Sequence, residues 1–280
     1  MSAPPRPDVD ALVGSQKAEF NHASRLRTWV LRTQTAIAAL AAITIPITSD
    51  ILLYIVAVIA LALAVVWLYL WNELGESRAH AERLRRTTML VGGLGFTLSG
   101  AELLELTRDG KAPKAEAKRL VDPAYFASGK APGVSRLVDM LEESAIWTAN
   151  LAKIAAQETW LLFGGFALVM LLALFAAAAI ATPSEWQLGA RIIMAILASL
   201  LSADFLGSAI SYGAAYQVAR RTVDRLQLYK GASPALEPVM LIFGDYNSAV
   251  EAMPPFSKGL YPRHEKRLNE EYKMFLTGPQ

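Results

Sequence analysis

The sequence predicts an all-α membrane protein: four transmembrane helices as two hairpins, a helical cytosolic insertion between spans two and three, and a cytosolic C-terminal tail. Three observations predict it. The 280-residue chain is 54% hydrophobic and only 19% charged, with a mean hydropathy of +0.31; that is too apolar for an ordinary water-soluble domain. Apolar runs long enough to cross about 30 Å of hydrocarbon recur along the chain. Lys and Arg are concentrated in alternate segments between those runs.

The start is polar and proline-rich from Ser2 to Asp8, residues 1–10 read as disordered, and no cleavable signal precedes the first apolar run. A basic helical pattern follows from Asp10 to Arg32, with Trp29 where an interfacial aromatic belongs. The first span runs from Trp29 to Thr48, with Arg32 able to snorkel and Pro46 near its far end. Ser49-Asp50 makes a tight turn. The second span, Ile51 to Trp71, is uncharged and closes on Trp67, Tyr69 and Trp71. Residues 72–91 continue as a charged helix that Gly92-Gly-Leu-Gly95 interrupts. Ser99 and Glu102 have capping-box spacing, so a short helix starts there and ends near Asp109-Gly110. Residues 111–135 read as loop.

From Arg136 to Ala181 the pattern is one long helix of two characters. It is amphipathic to Glu158 and uncharged from Thr159, the third span. No proline lies between Gly133 and Pro183 to break it. After a short connection the fourth span runs from Leu188 to Tyr212, interrupted by Arg191 and Asp204, and its helix continues to Lys230. Pro234, Pro238, Pro254, Pro255 and Pro262 break up the remainder, where a short helix from Arg263 to Phe275 is expected.

Five Lys and Arg lie up to Arg32, twelve in residues 72–160 and nine in 213–280, whereas the two hairpin turns have none. The positive-inside rule then puts both termini and the insertion in the cytoplasm. The expected organisation is residues 1–28 as a cytosolic N-terminal segment, 29–71 as the first hairpin and 72–158 as the insertion. Residues 159–212 form the second hairpin and 213–280 the C-terminal region.

Residues that carry chemistry are sparse. Cysteine is absent, so no disulfide or thiolate ligand exists. His22, His80 and His264 form no metal-ligand spacing, and surface histidine is the default. Gly92-Gly-Leu-Gly95 lacks the following Lys-Ser/Thr of a phosphate loop. Glu142-Glu143 point about 100° apart on a helix and read as a solvated face. We therefore expect no catalytic residue, no metal, no cofactor and no enzymatic activity.

Three groups stand out. Asp204, Ser208 and Ser211 share one face of the fourth span, with Gln34 of the first span as a possible partner. The stripe either lines a pore or acts as packing glue, or Asp204 lies at the interface. Trp147 is thirteen residues before Trp160, about 20 Å down the helix and clear of the bilayer. It shares a face with Arg136, Glu143 and Asn150. That face either packs on the 72–91 helix or stacks on and hydrogen-bonds a base. Arg83, Arg85, Arg86, Arg220, Arg221 and Arg225 are read as contacts to anionic headgroups, or to a soluble anion.

Asp122-Pro-Ala-Tyr125-Phe-Ala-Ser128, Arg136-Leu and Glu143-Ser-Ala-Ile-Trp147-Thr148 resemble the signature of SMODS-associated four-transmembrane effectors. Tyr246-Asn247, Pro254-Pro255, Tyr261 and Leu268-Asn269 are similar to that family's tail, and the resemblance extends from about Gln16 to Phe275. Ile146 stands where the family pattern has an aromatic. The resemblance implies a CBASS-type anti-phage effector in the bacterial inner membrane. A cyclic oligonucleotide from a partner nucleotidyltransferase would activate it to oligomerise and permeabilise the bilayer, with no DNA or RNA polymer as partner. A constitutive small-solute channel or transporter and a structural membrane scaffold are the rival readings.

Overall fold

The computed structural model describes residues 8–44, 47, 49–180, 189, 205–230 and 234–277. Eight helices run through them, with no strand among the described residues. They are α1 (Val9–Thr44), α2 (Asp50–Leu94), α3 (Gly100–Arg108), α4 (Lys114–Arg119), α5 (Val134–Ile180), α6 (Phe205–Gln227), α7 (Leu236–Ala252) and α8 (Leu260–Thr277). The chain divides into two compact units. One holds Met1–Arg25, Leu74–Ala155 and Ser211–Gln280; the other holds Leu26–Glu73 and Ala156–Ile210. Helices α1, α2, α5 and α6 each contribute residues to both.

The second unit is apolar on its outside. Ile51, Tyr54, Leu61 and Tyr69 of α2 and Leu161, Leu162 and Phe175 of α5 are all exposed. Exposed apolar surface on this scale marks a lipid or protein contact. Among the described residues α2 is the one helix long and apolar enough to cross a membrane. It closes on Trp67 stacked on Trp71, ring centroids 5.5 Å apart. The expected fourth span lies largely outside the described residues, as do Asp204 and Arg191.

The first unit is built around a buried apolar core. Leu12, Leu84, Val91 and Leu106 pack together with Val9 and Leu98 beside them. Helix α5 lies close against α2 because Gly92 and Gly93 offer no side chain. A Cβ at Gly93 would sit 3.0 Å from the Leu137 Cα, and one at Gly92 would sit 3.0 Å from the Met140 Cε. The glycine run therefore does not interrupt α2 at residue 92. The helix continues to Leu94 and stops at Gly95, whose φ of +76° is left-handed. The Gly95 N–H bonds the Val91 carbonyl at 3.0 Å and so closes the last turn.

Helix α3 starts on the expected capping box. Ser99 Oγ accepts from the Glu102 N–H, and the Glu102 carboxylate accepts from the Ser99 N–H. The 111–135 stretch is not all loop, since α4 forms within it. Arg25 holds α4 by two 3.0 Å bonds to the Glu116 carboxylate, and the Ala117 carbonyl approaches the bare Cα of Gly14. The C-terminal region holds two full helices where one short one was expected. Pro238 and Pro262 lie in the first turns of α7 and α8, where a missing N–H costs no helical bond.

Candidate ligand site

Helix α2 turns Glu82 and Arg85 inward. Both side chains are 7% exposed, and Arg85 Nε donates to Glu82 Oε2 at 2.7 Å. Arg85 Nη2 donates to Asn247 Oδ1 of α7 at 2.7 Å. The Asn247 amide is oriented by its own bond to the Phe243 carbonyl. Burial would lower the Arg85 pKa, but Glu82, Tyr246 and Glu251 together hold it above the ordinary value. Arg85 is thus not a headgroup contact. Its guanidinium carbon lies 5.3 Å from the Tyr246 ring centroid.

Tyr246 is fully buried and ties α7 to α5. Its hydroxyl lies 2.9 Å from Ser144 Oγ and 2.7 Å from Thr148 Oγ1. Ser144 and Thr148 can both reach it because residues four apart share a helix face. On the same cluster sits Tyr125, from the segment between α4 and α5. Burial first, and then Tyr246, push its phenol up to about 12, against opposing effects of Arg85 and the Gln16 side chain. Lys17 Nζ lies 4.6 Å from the Tyr125 ring centroid.

The segment carrying Tyr125 is tied down by side chains. Lys17 pairs with Asp122 at 2.7 Å, which holds the Asp122 carboxyl below its usual range. The Ala127 N–H donates to Glu143 Oε2 at 3.0 Å, and Ser128 Oγ donates to Asp139 at 2.7 Å. Arg136 Nη1 donates to the Lys130 carbonyl. Arg136 is thus a loop anchor, eleven residues and about 16 Å along the helix from Trp147.

Trp147 is half-buried and packs on α8. Its ring centroid is 6.0 Å from that of Tyr261 and 5.6 Å from that of Tyr272, both on α8. Helix α2 meets α5 earlier, at Leu137 and Met140. Glu142 and Glu143 are not a solvated pair: Glu142 is buried and Glu143 half-buried. Burial raises both above the usual carboxylate range, opposed at Glu142 by Lys230 and at Glu143 by the Ala127 N–H. Burial and then Glu143, Glu142 and Asp139 raise the Tyr272 phenol. Asn150 is half-buried one turn beyond Trp147.

Of the other basic residues, Arg83 pairs with Glu105 at 2.8 Å, Arg86 with Glu251 at 3.2 Å and Arg225 with Asp245 at 2.7 Å. Arg220 and Arg221 are exposed. Ser208 is buried, while Ser211 and Gln34 are half-buried. His80 is buried rather than on the surface. It backs a groove of about 560 Å³ whose cations Arg83, Arg108 and Lys111 are matched by nearby carboxylates. Among the described residues no group of three or more His, Asp or Glu could hold a metal ion.

The arrangement suits a planar polar guest: the buried Tyr246 ring, the Arg85 guanidinium and the Asn247 amide are joined, with the half-buried Tyr125 on a neighbouring segment. Sequence reasoning passed over Gln16, and it took Arg85 for one more surface cation. Tyr125 and Tyr246 were visible only as parts of short motifs. No family model, curated protein or solved structure matches the chain.

Proposed function

We propose that this protein is a membrane effector of bacterial anti-phage immunity, activated by a cyclic oligonucleotide that binds the unit containing Arg85, Tyr125 and Tyr246. The reading takes the chain as four spans in two hairpins of the inner membrane, with both termini cytoplasmic. Activation repacks the spans of several copies and permeabilises the bilayer, so that the infected cell dies early.

One observation carries the reading. The short motifs Asp122–Ser128, Glu143–Thr148 and Tyr246–Asn247 are far apart in sequence, yet they meet around one buried cluster. Helix α2 brings Arg85 to that cluster and also carries the apolar run 51–71. Helix α5 likewise carries Ser144, Trp147 and Thr148 and then its own apolar turns. A ligand that shifts the cytosolic turns of α2 or α5 acts on a helix that it shares with the apolar unit. It can do so only through different affinities for the resting and active packings.

The test is expression in a bacterium with and without a cyclic-oligonucleotide synthase. Membrane depolarisation that requires both proteins is the expected result. Depolarisation by this protein alone would instead mark a constitutive channel.

A further inference from the structure

His80 of α2 is 7% exposed, and no hydrogen bond joins its imidazole to another described residue. Glu19, which like His80 abuts Gly110, is already occupied. Ser77 Oγ donates to Glu19 Oε2 at 3.0 Å, and the Ala112 N–H donates to Oε1 at 2.7 Å. Buried polar side chains are as a rule hydrogen-bonded, and an exception calls for a reason. His80 lines the groove of about 560 Å³, a volume that suits a small-molecule ligand.

Arg83, Arg108 and Lys111 line the same groove, and the two guanidiniums converge on one carboxylate. Arg108 Nε lies 3.2 Å from Asp109 Oδ1, and Arg83 Nη1 lies 4.0 Å from Asp109 Oδ2. Asp109 is the C-cap of α3, where the helix dipole disfavours an acidic side chain. Arg83 also pairs with Glu105, and Lys111 with Glu76, so each cation has a carboxylate to exchange. All these pairs are part-exposed, and such pairs contribute little and are screened by salt. A phosphate group presents more oxygens and more charge than a carboxylate and accepts from a guanidinium through two oxygens at once.

We infer that this groove binds a soluble small molecule through its phosphate. The phosphate takes the position of the Asp109 carboxylate between Arg83 and Arg108, with Lys111 beside it. His80 donates from the buried wall, since an imidazole always has at least one N–H to give. A lipid headgroup does not reach so far. His80 lies nine residues along α2 from Trp71, where the apolar run closes, and that is about 14 Å of helix. The headgroup layer is only about 5–8 Å deep. None of the lining residues belongs to the Arg85 cluster, so binding here does not depend on the effector reading.

The experiment titrates the purified full chain, in neutral detergent micelles at low salt, with inorganic pyrophosphate followed by calorimetry. Wild type is expected to bind with a Kd of about 1 mM or below. Asp109→Asn removes the competing charge at nearly constant volume and should bind about tenfold more tightly. Arg108→Gln, at a side chain 73% exposed, should fold as wild type does and bind about tenfold more weakly. His80→Phe should also weaken binding, with a melting temperature equal to or above that of wild type, since an unpartnered buried polar group is gone. Absence of binding by both wild type and Asp109→Asn, or equal affinity of Arg108→Gln and wild type, would overturn the phosphate site. Displacement of the pyrophosphate by anionic phospholipid doped into the micelles would overturn the soluble source and make the ligand a headgroup.

Discussion

Arg85 Nη2 donates to Asn247 Oδ1 at 2.7 Å, joining residues 162 positions apart. With Glu82 on its other side, Arg85 is the buried tie between α2 and α7. Removing one partner of such a pair leaves an uncompensated buried charge, at a cost of about 3–5 kcal/mol. Arg85→Met should lose that much in chemical denaturation. The double variant Glu82→Leu/Arg85→Met should recover part of it; a cycle with strictly additive losses would contradict the coupling.

The close approach of α5 to α2 depends on a missing side chain. Gly93→Ala places a Cβ 3.0 Å from the Leu137 backbone, an overpacking worth about 1–3 kcal/mol that exceeds the gain of about 1 kcal/mol in helix propensity. Gly75→Ala, in open space on the same helix, should instead stabilise by up to about 1 kcal/mol. Thermal melts that moved in the same direction for both variants would show that the contact is not tight.

Trp147 fastens α8 through Tyr261 and Tyr272. Aromatic pairs contribute about 1 kcal/mol each beyond their burial. Trp147→Ala should therefore cost about 2 kcal/mol and speed amide exchange across residues 260–277. Unchanged exchange there would mean that Leu260 and Leu268, both buried, hold α8 by themselves.

How much of this was legible follows from the kind of signal each element carries. The paths of α1, α2 and α5 could be read because apolar runs without proline have few alternatives. The capping box at Ser99 is local and could also be read. Helix α7 could not, because Pro238 reads as a breaker until its place in the first turn is known. Arg83, Arg85 and Arg86 look alike in sequence. Successive helix positions turn by about 100°, and only the contact with Asn247, far along the chain, selects Arg85 as the inward one. Trp147 was legible as an outlier, but its partners on α8 were not, because long-range pairing leaves no local pattern.

Glu143 has its pKa raised by burial. A carboxyl raised in the folded state favours folding below its unfolded value, and that stability is lost as pH climbs through the folded value. Glu143→Gln mimics the protonated form. It should therefore melt higher than wild type at neutral pH, with the difference closing as pH falls towards the ordinary value of 4.5. Asp122 and Glu116, both lowered by hydrogen bonds to Lys17 and Arg25, act in the opposite sense and lose their contribution in acid. A pH-independent gap between the variant and wild type would show that Glu143 ionises freely.

The central claim is that ligand binding in the unit containing Arg85 opens a membrane. The most direct measurement is dye release from sealed vesicles containing the purified full chain, on addition of the cyclic nucleotide it binds best. The account predicts tight vesicles before addition, release after it, and none when Tyr246→Ala, folded and inserted, replaces wild type. Release without nucleotide, or binding at full occupancy with no release, would contradict it.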